Sequence, residues 1–194
     1  RSQIKSVKSI QKVTKAMKMV AAAKLRKSQE NMEKARPYSE RLKNLIADLL
    51  HDVDRNLMPL LEKHSENNKI GFVIVTADRG LAGSFNTNII KRAEKEIRAV
   101  GKENAELFCI GKKGYEYFSK RNYNIINHYK DFWMTLNYSQ AINVGNDIVG
   151  AYVNKKIDSV QVIYNYFKNV GSQELIYENL LPLDFEKKEK TKSS

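Results

Sequence analysis

The chain opens with a long segment, Ser2 to Ala35, that contains no glycine and no proline and consists mostly of good helix formers. At 100° per residue, one broad face of this segment is mainly apolar and the opposite face is basic. The first face comprises Ile4, Val7, Ile10, Thr14, Met17, Ala21, Leu25 and Met32, and the second comprises Arg1, Lys5, Lys8, Lys12, Lys15 and Arg26. This pattern predicts an amphipathic helix.

One part of the segment departs from this two-sided pattern. Between Ala16 and Ala23 the apolar residues run all the way round the helix, because Met19, Ala22 and Ala23 take the place of lysines. A helix that is apolar on every side is expected to be enclosed on every side. We therefore expect a partner to surround this part of the helix.

The helical period continues beyond Ala35 through a stripe of large side chains to about Leu57, and Pro37 is expected to bend the helix modestly. A helix over residues 2–57 would be roughly 80 Å long. The remaining residues would fold into a body roughly 36 Å across. Half of such a helix would project beyond its own body, and this predicts that the projecting half binds other proteins.

Positive charge is concentrated in the same segment. The chain has a formal charge of +12, and residues 1–36 hold 11 Lys or Arg against 2 Asp or Glu, a net of +9. A basic arm of this kind is typical of a nucleic-acid-binding module, which is one alternative. The arm has no aromatic residue before Tyr38 on which bases would stack. The apolar segment beside the lysines instead favours a protein partner with an acidic lining.

The rest of the chain alternates between a strand period and a helix period. Strands are predicted at 70–76, 106–110, 123–129, 160–167 and 174–183, and helices at 86–100, 111–121 and 140–157. This order predicts an α/β domain over residues 66–185 with a largely parallel sheet, whose last two strands form a hairpin. In the last helix, the side chains expected to face the core are Ile142, Ile148, Val149 and Val153. Cys109 is expected to be buried, and the charged tail at 186–194 to be disordered or to be the start of a missing segment.

Candidate chemical sites are weak. The loop from Thr76 to Gly83 follows the first predicted strand, where open α/β sheets bind nucleotides, but it holds only a G-x-x-G pattern. A nucleotide-using α/β enzyme with its ligand at 78–83 is therefore a second alternative. Asp78 is expected to cap the turn that follows it, with a catalytic pairing to Arg79 as the rarer interpretation. The sequence predicts no catalytic, cofactor-binding or metal-binding residue.

The histidines and the single tryptophan are given structural roles. His51, His64 and His128 lack the spacing of metal ligands and are expected at the surface or in loops. Trp133, with Phe132 and Tyr129, is expected in core or interface packing. No apolar run reaches the length of a membrane span.

Two motifs resemble one protein family. The segment IQKVTKAMKMVAAAKLRKSQENMEKARPYSE, which begins at Ile10, closely resembles the N-terminal helix of the gamma subunit of F-type ATP synthases. The loop from Asp78 to Gly83 is similar to the family's Asp-Arg-Gly-Leu-Cys-Gly, with Ala82 in the place of the cysteine. The resemblance covers residue 1 to about Phe185.

The resemblance implies both a fold and a function. The fold would be a rotor-shaft helix over 1–58, half of an antiparallel coiled coil, followed by a Rossmann-like α/β domain. The family's second long helix is expected to be absent after Phe185. The function would be that of the central stalk of a proton-translocating enzyme. This subunit forms no chemical bond itself and couples ion flow to ATP synthesis or hydrolysis by rotation.

The resemblance also implies partners and a location. The partners would be the alpha and beta subunits of the hexamer, the epsilon subunit and the membrane c-ring, without nucleic acid and without a direct membrane span. The location would be peripheral, on the cytoplasmic side of a bacterial membrane, with the mitochondrial matrix side or the chloroplast thylakoid as alternatives. The residues expected to contact partners are Lys5, Lys8, Lys12, Lys15, Met17, Lys18, Met19, Val20, Ala22, Ala23 and Arg79.

Overall fold

The computed structural model describes residues 2–49, 58–64, 68–80, 82–134, 137–169 and 171–183. The chain forms two compact units that divide between Val53 and Asp54. The predicted end of the first helix at 50–57 and the charged tail at 186–194 lie outside the described residues.

In the first unit, helix α1 runs without interruption from Ser2 to Leu49. Pro37 lies inside it and lacks the backbone N–H that a helix interior uses. Two residues later, the Ser39 hydroxyl donates to the Arg36 carbonyl at 3.0 Å, and the helix continues on both sides. The prediction of one long helix that passes through Pro37 is confirmed as far as Leu49.

The second unit is built on a five-stranded sheet in the order β3-β2-β1-β4-β5. Its elements are β1 Ile70–Val75, α2 Phe85–Val100, β2 Ala105–Ile110, α3 Lys112–Ser119, β3 Ile125–Tyr129, α4 Tyr138–Val153, β4 Ser159–Asn169 and β5 Ser172–Leu181. Strands β1 to β4 are mutually parallel, and β5 returns antiparallel to β4. The predicted parallel sheet and terminal hairpin are confirmed.

The helices cover both faces of this sheet. Alternate residues of β1 point to opposite sides, so Phe72 packs with α2 and α3 in one buried cluster. Val73 packs with α4 in the other cluster. The chain reverses direction across β1 when it passes from β3 to β4, and a right-handed crossover in that direction places its helix on the opposite face. This reversal creates a topological switch point between β1 and β4.

Helix α4 corrects one prediction about the core. Its buried side chains are Val144, Ile148, Ala151 and Tyr152. Of the four residues predicted to face inward, Ile148 is buried, whereas Ile142 and Val153 are 41% and 42% exposed. The helix also ends four residues earlier than predicted, because Lys155 adopts a left-handed φ of 56°. The Lys156 N–H then bonds the Ala151 carbonyl, as in a Schellman motif.

Candidate functional site

Helix α1 leaves a long series of large apolar side chains uncovered in the described structure. Every residue from Gln3 to Ser28 is exposed. In the segment predicted to be enclosed, Met17 is 68%, Met19 60% and Val20 55% exposed. Their side chains leave the helix in different directions, so a single flat partner surface cannot cover all three. The remaining predicted contact residues of this helix are also exposed, namely Lys5, Lys8, Lys12, Lys15, Lys18, Ala22 and Ala23.

The structure adds one residue that the helical wheel did not select. Val13 is 56% exposed and lies one turn before Met17 and two turns before Val20. It therefore extends the apolar surface toward the N-terminal half of α1. The sequence already showed Val13, Met17 and Val20 at the helical spacing i, i+4, i+7. Val13 was not selected because only the residues of the principal apolar face were chosen from the helical wheel.

The first turns of α1 contain no acidic residue that could neutralise their lysines. The first acidic residue of the chain is Glu30, whose carboxylate accepts from Arg26 at 3.0 Å. A side-chain ion pair along a helix joins residues three or four positions apart. The lysines from Lys5 to Lys18 therefore have no carboxylate within reach along α1, and their charge is presented to the surroundings.

The loop after β1 carries the second group of candidate residues. Arg79 is exposed, as expected for a partner contact. Asp78 beside it was predicted to cap its own turn, but the bonds that the described residues show run to other segments. Its carboxylate accepts backbone N–H bonds from Lys112 at 2.9 Å, Asp131 at 3.0 Å and Trp133 at 3.2 Å. Asp78 therefore ties together the chain segments that follow β1, β2 and β3.

Neighbouring contacts tighten the same edge of the sheet. The buried Thr76 hydroxyl accepts from the Gly114 N–H at 2.8 Å, and the Trp133 indole N–H donates to the Thr76 carbonyl at 2.7 Å. Gly111 has a φ of 89°, and a Cβ there would lie 2.0 Å from the Thr76 carbonyl oxygen. Trp133 is 45% exposed, so it is not a core residue, and the alternative of interface packing stays a prediction.

This geometry bears on the nucleotide alternative. Helix α3 begins at Lys112, and its N-terminus would be the natural place for a phosphate. The Asp78 carboxylate already accepts the Lys112 N–H, so a fixed negative charge occupies that position. An added phosphate would meet electrostatic repulsion there.

A cavity of about 380 Å³ lies at the switch point between the loop after β1 and the β4–β5 hairpin. Glycines, serines and amides contribute most of its lining, including Ser84, Asn88, Asn165 and Gln173. Among the lining residues that the structure describes, none has a charged side chain. A nucleotide would find no lysine or arginine there to pair with its phosphates.

The cysteine and the described histidines of the α/β unit show no arrangement typical of a reactive or metal-binding site. Burial raises the pKa of the Cys109 thiol to about 12, so this predicted core cysteine is buried and unreactive at neutral pH. His64 lies in a loop, as one of the two predicted alternatives has it, but its side chain is only 3% exposed and is not at the surface. His128 is exposed and stacks on Tyr115, while His51 lies outside the described residues. Within the described ranges, no group of three or more His, Cys, Asp or Glu has the arrangement of a metal site.

A family model described as ATP synthase matches the chain over residues 1–194. The chain belongs to the ATP synthase family. Among curated relatives, the ATP synthase gamma chain of Chlorobium phaeobacteroides is 46% identical over 188 residues and that of Prosthecochloris aestuarii is 44% identical over 190 residues. Both alignments cover 94% of this chain. The chain spans 65% and 64% of the length of these two relatives.

A solved structure of the same family has a similar fold. The central stalk and c-ring structure of the Tetrahymena thermophila mitochondrial ATP synthase includes a chain that matches with a TM-score of 0.68 and 23% sequence identity. The match covers 88% of this chain and 72% of that one. It supports the combination of a long helix with a mainly parallel α/β unit.

Proposed function

We propose that this chain is the central-stalk rotor subunit of a proton-translocating F-type ATP synthase. It catalyses no reaction itself and needs no cofactor. Proton flow turns a membrane ring of c subunits, the α/β unit turns with that ring, and α1 turns inside a hexamer of alpha and beta subunits. Because the rotor contacts each catalytic state differently, its rotation biases the three sites in sequence.

The observation that carries this proposal is the exposed segment from Ala16 to Ala23. Its apolar side chains leave the helix in several directions and remain uncovered in the described chain. Only a partner that surrounds the helix removes all of them from water, and burial of apolar area is the main favourable term in association. The side chains are small or flexible, and methionine adapts to irregular neighbours. A sleeve around such a helix holds it laterally without fixing one rotational position.

The basic side chains of α1 and of the loop after β1 attract the rotor to the hexamer. The lysines of α1 present charge that no residue before Glu30 neutralises, and lysine is a compact charge that imposes no single geometry on its partner. Arg79 has a planar guanidinium suited to a directional contact with a carboxylate. We assign both groups to acidic loops of the beta subunits.

The α/β unit binds the c-ring and the epsilon subunit in this proposal. No helix among the described residues is both long and apolar enough to cross a bilayer. We assign the chain to the membrane sector through protein contacts, as a peripheral component on the cytoplasmic face of a bacterial membrane. The gamma-chain names of the relatives and their similarity over 94% of this chain support the assignment.

Affinity purification of the tagged chain from its own cells tests the proposal. We expect alpha and beta subunits to co-purify in equal amounts and in threefold excess over this chain, together with epsilon. Nucleic acid in place of these subunits, with affinity falling about tenfold for each doubling of salt concentration, would identify the basic-arm alternative instead.

A further inference from the structure

The loop after β1 is bonded to neighbouring elements at each of three consecutive residues. The Ala77 N–H donates to Asn86 Oδ1 at 2.9 Å, and the Ala77 carbonyl accepts from the Lys113 N–H at 3.1 Å. The Asp78 carboxylate accepts the three backbone N–H bonds described above. The Arg79 carbonyl accepts from Asn86 Nδ2 at 3.4 Å. The backbone of this loop is therefore fixed on both sides of Asp78.

Asn86 bonds to both ends of this short segment. It is the second residue of α2, a helix whose Ile89 and Ile97 are buried against the sheet. A carboxamide carries an acceptor and a donor at the same end of one side chain. Asn86 therefore accepts from the residue before Asp78 and donates to the residue after it. Through these two bonds, the backbone of Arg79 is tied to a helix whose position is set by the core.

The side chain of Arg79 differs from its backbone in having no such attachment. Arg79 is exposed, and none of the ion pairs between described residues involves it. The two lysines at the start of α3 are different, because Lys112 and Lys113 lie 3.8 and 2.9 Å from carboxylate oxygens of Glu116. Arg79 thus presents an uncompensated guanidinium from a fixed backbone.

We propose that Asn86 is a positioning residue for the contact between Arg79 and an acidic loop of a partner subunit. This inference rests on the rotor function proposed above, and it concerns a residue to which no role in binding was assigned. A guanidinium that pairs with a carboxylate through two parallel bonds requires a defined orientation. A loop that is ordered before binding loses less conformational freedom on association, so its affinity is higher. Asn86 supplies this order and acts through Arg79.

A double-mutant cycle separates positioning from a general effect on the fold. The chains are the parent, Asn86→Ala, Arg79→Gln and the double variant, and each full chain is titrated into purified alpha–beta hexamer. The matched control is Asn88→Ala, because Asn88 is an exposed residue of the same helix whose side chain bonds neither Ala77 nor Arg79. Asn86→Ser is a second variant, since its shorter side chain reaches at most one of the two groups. Urea denaturation of each chain reports its stability.

Two readouts distinguish positioning from a merely structural role. The first is hydrogen exchange of the Ala77 amide, which we expect to accelerate about fivefold in Asn86→Ala through the loss of one hydrogen bond. The second is the dissociation constant for the hexamer, which should rise about three- to tenfold in Asn86→Ala because the loop must then be ordered on binding. In the Arg79→Gln background, the same substitution should change that constant by less than about twofold. Asn88→Ala should match the parent in both readouts.

Each contrary result has a definite meaning. Equal weakening by Asn86→Ala with and without Arg79, or equal weakening by Asn88→Ala, would show an effect on the fold and overturn the positioning role. Unchanged exchange at Ala77 in both Asn86 variants, or faster exchange with unchanged affinity, would overturn it as well. If Arg79→Gln binds the hexamer like the parent, there is no contact at Arg79 to position, and the rotor function stands. If the parent chain itself does not bind the hexamer, the rotor function is wrong.

Discussion

Helix α1 and the sheet of the α/β unit use similar apolar side chains in opposite ways. In β1 and β2, Phe72, Leu107 and Phe108 are completely buried by their own unit. In α1, Ile4, Val7 and Met17 are 62%, 64% and 68% exposed. The first group stabilises the fold of this chain, whereas the second group is available to stabilise an assembly.

This difference follows from what each element requires to form. A buried parallel strand requires helices on both faces, so the chain supplies its own covering. A helix satisfies its backbone hydrogen bonds internally and can leave its apolar face for another molecule. Substitutions should therefore act on folding in one region and on assembly or coupling in the other.

The largest expected effect is on folding in the sheet. Phe108→Ala removes a side chain that is fully buried in the cluster beneath α4, and truncations of this kind cost about 3–5 kcal/mol. Met17→Ala on α1 should leave the free energy of unfolding within about 0.5 kcal/mol of the parent. Urea denaturation of the isolated chain, followed by tryptophan fluorescence, measures both. Equal losses in the two variants would show that α1 is also buried by its own chain.

The contrast between an effect on folding and an effect on assembly should also appear between the adjacent residues Asp78 and Arg79. Asp78→Ala removes a carboxylate that accepts three backbone N–H bonds, and we expect a loss of about 1–3 kcal/mol in unfolding free energy. Arg79→Gln should leave stability unchanged and weaken binding to the alpha–beta hexamer. Denaturation and a pull-down with purified hexamer separate the two effects. A stability loss at Arg79 equal to that at Asp78 would contradict the partner role of the arginine.

The buried thiol predicts a pH dependence that belongs to the α/β unit. Burial raises the pKa of Cys109 from 9.0 to about 12, so the unfolded chain releases this proton at lower pH than the folded chain does. The free energy of unfolding should therefore fall as pH rises from about 9 to 12, with a loss of about 1 kcal/mol from this group by pH 10. Cys109→Ala should reduce the slope between pH 8 and 10. Identical slopes would show that the thiol does not contribute.

The smallest expected effects come from single charges on α1. Neutralising Lys5, Lys8, Lys12 or Lys15 individually should change assembly by about 0–1 kcal/mol, as for exposed ion pairs. Replacing all four together with Arg79 by Gln should weaken assembly or coupling clearly at low salt and less at high salt, because salt screens exposed charges. A titration of hexamer binding at two ionic strengths measures this. An equal loss at both would indicate packing contacts instead of charge.

The sequence predicted the fold well because periodicity is a local signal. The long helix and the five strands follow from spacing within single segments. The parallel pairing follows from the alternation of strands and helices along the chain. The buried face of α4 was harder to predict because that helix is apolar on nearly all sides. Ile142, Val149 and Val153 form as plausible a stripe as the buried Val144, Ile148 and Tyr152.

The contacts of the candidate site depend on distant parts of the chain. The backbone partners of Asp78 lie 34 to 55 positions later in the sequence, and only the order of strands brings them together. Tyr152 and Glu62 are 90 positions apart. The apolar segment of α1 was predictable because its signal is local, whereas the contacts of Tyr152 and Asp78 require the completed sheet.

The central claim is that the segment from Ala16 to Ala23 turns inside an enclosing sleeve, and substitutions at Ala22 test it most directly. The parent chain, Ala22→Val and Ala22→Trp are each assembled into complete complexes, and ATP hydrolysis and proton pumping are measured in vesicles. We predict that Ala22→Val behaves like the parent, whereas Ala22→Trp leaves the isolated chain folded and obstructs both activities, because an indole ring exceeds the space of a small side chain in a close-fitting sleeve. Complexes of Ala22→Trp that assemble and pump like the parent would show that the segment is not enclosed.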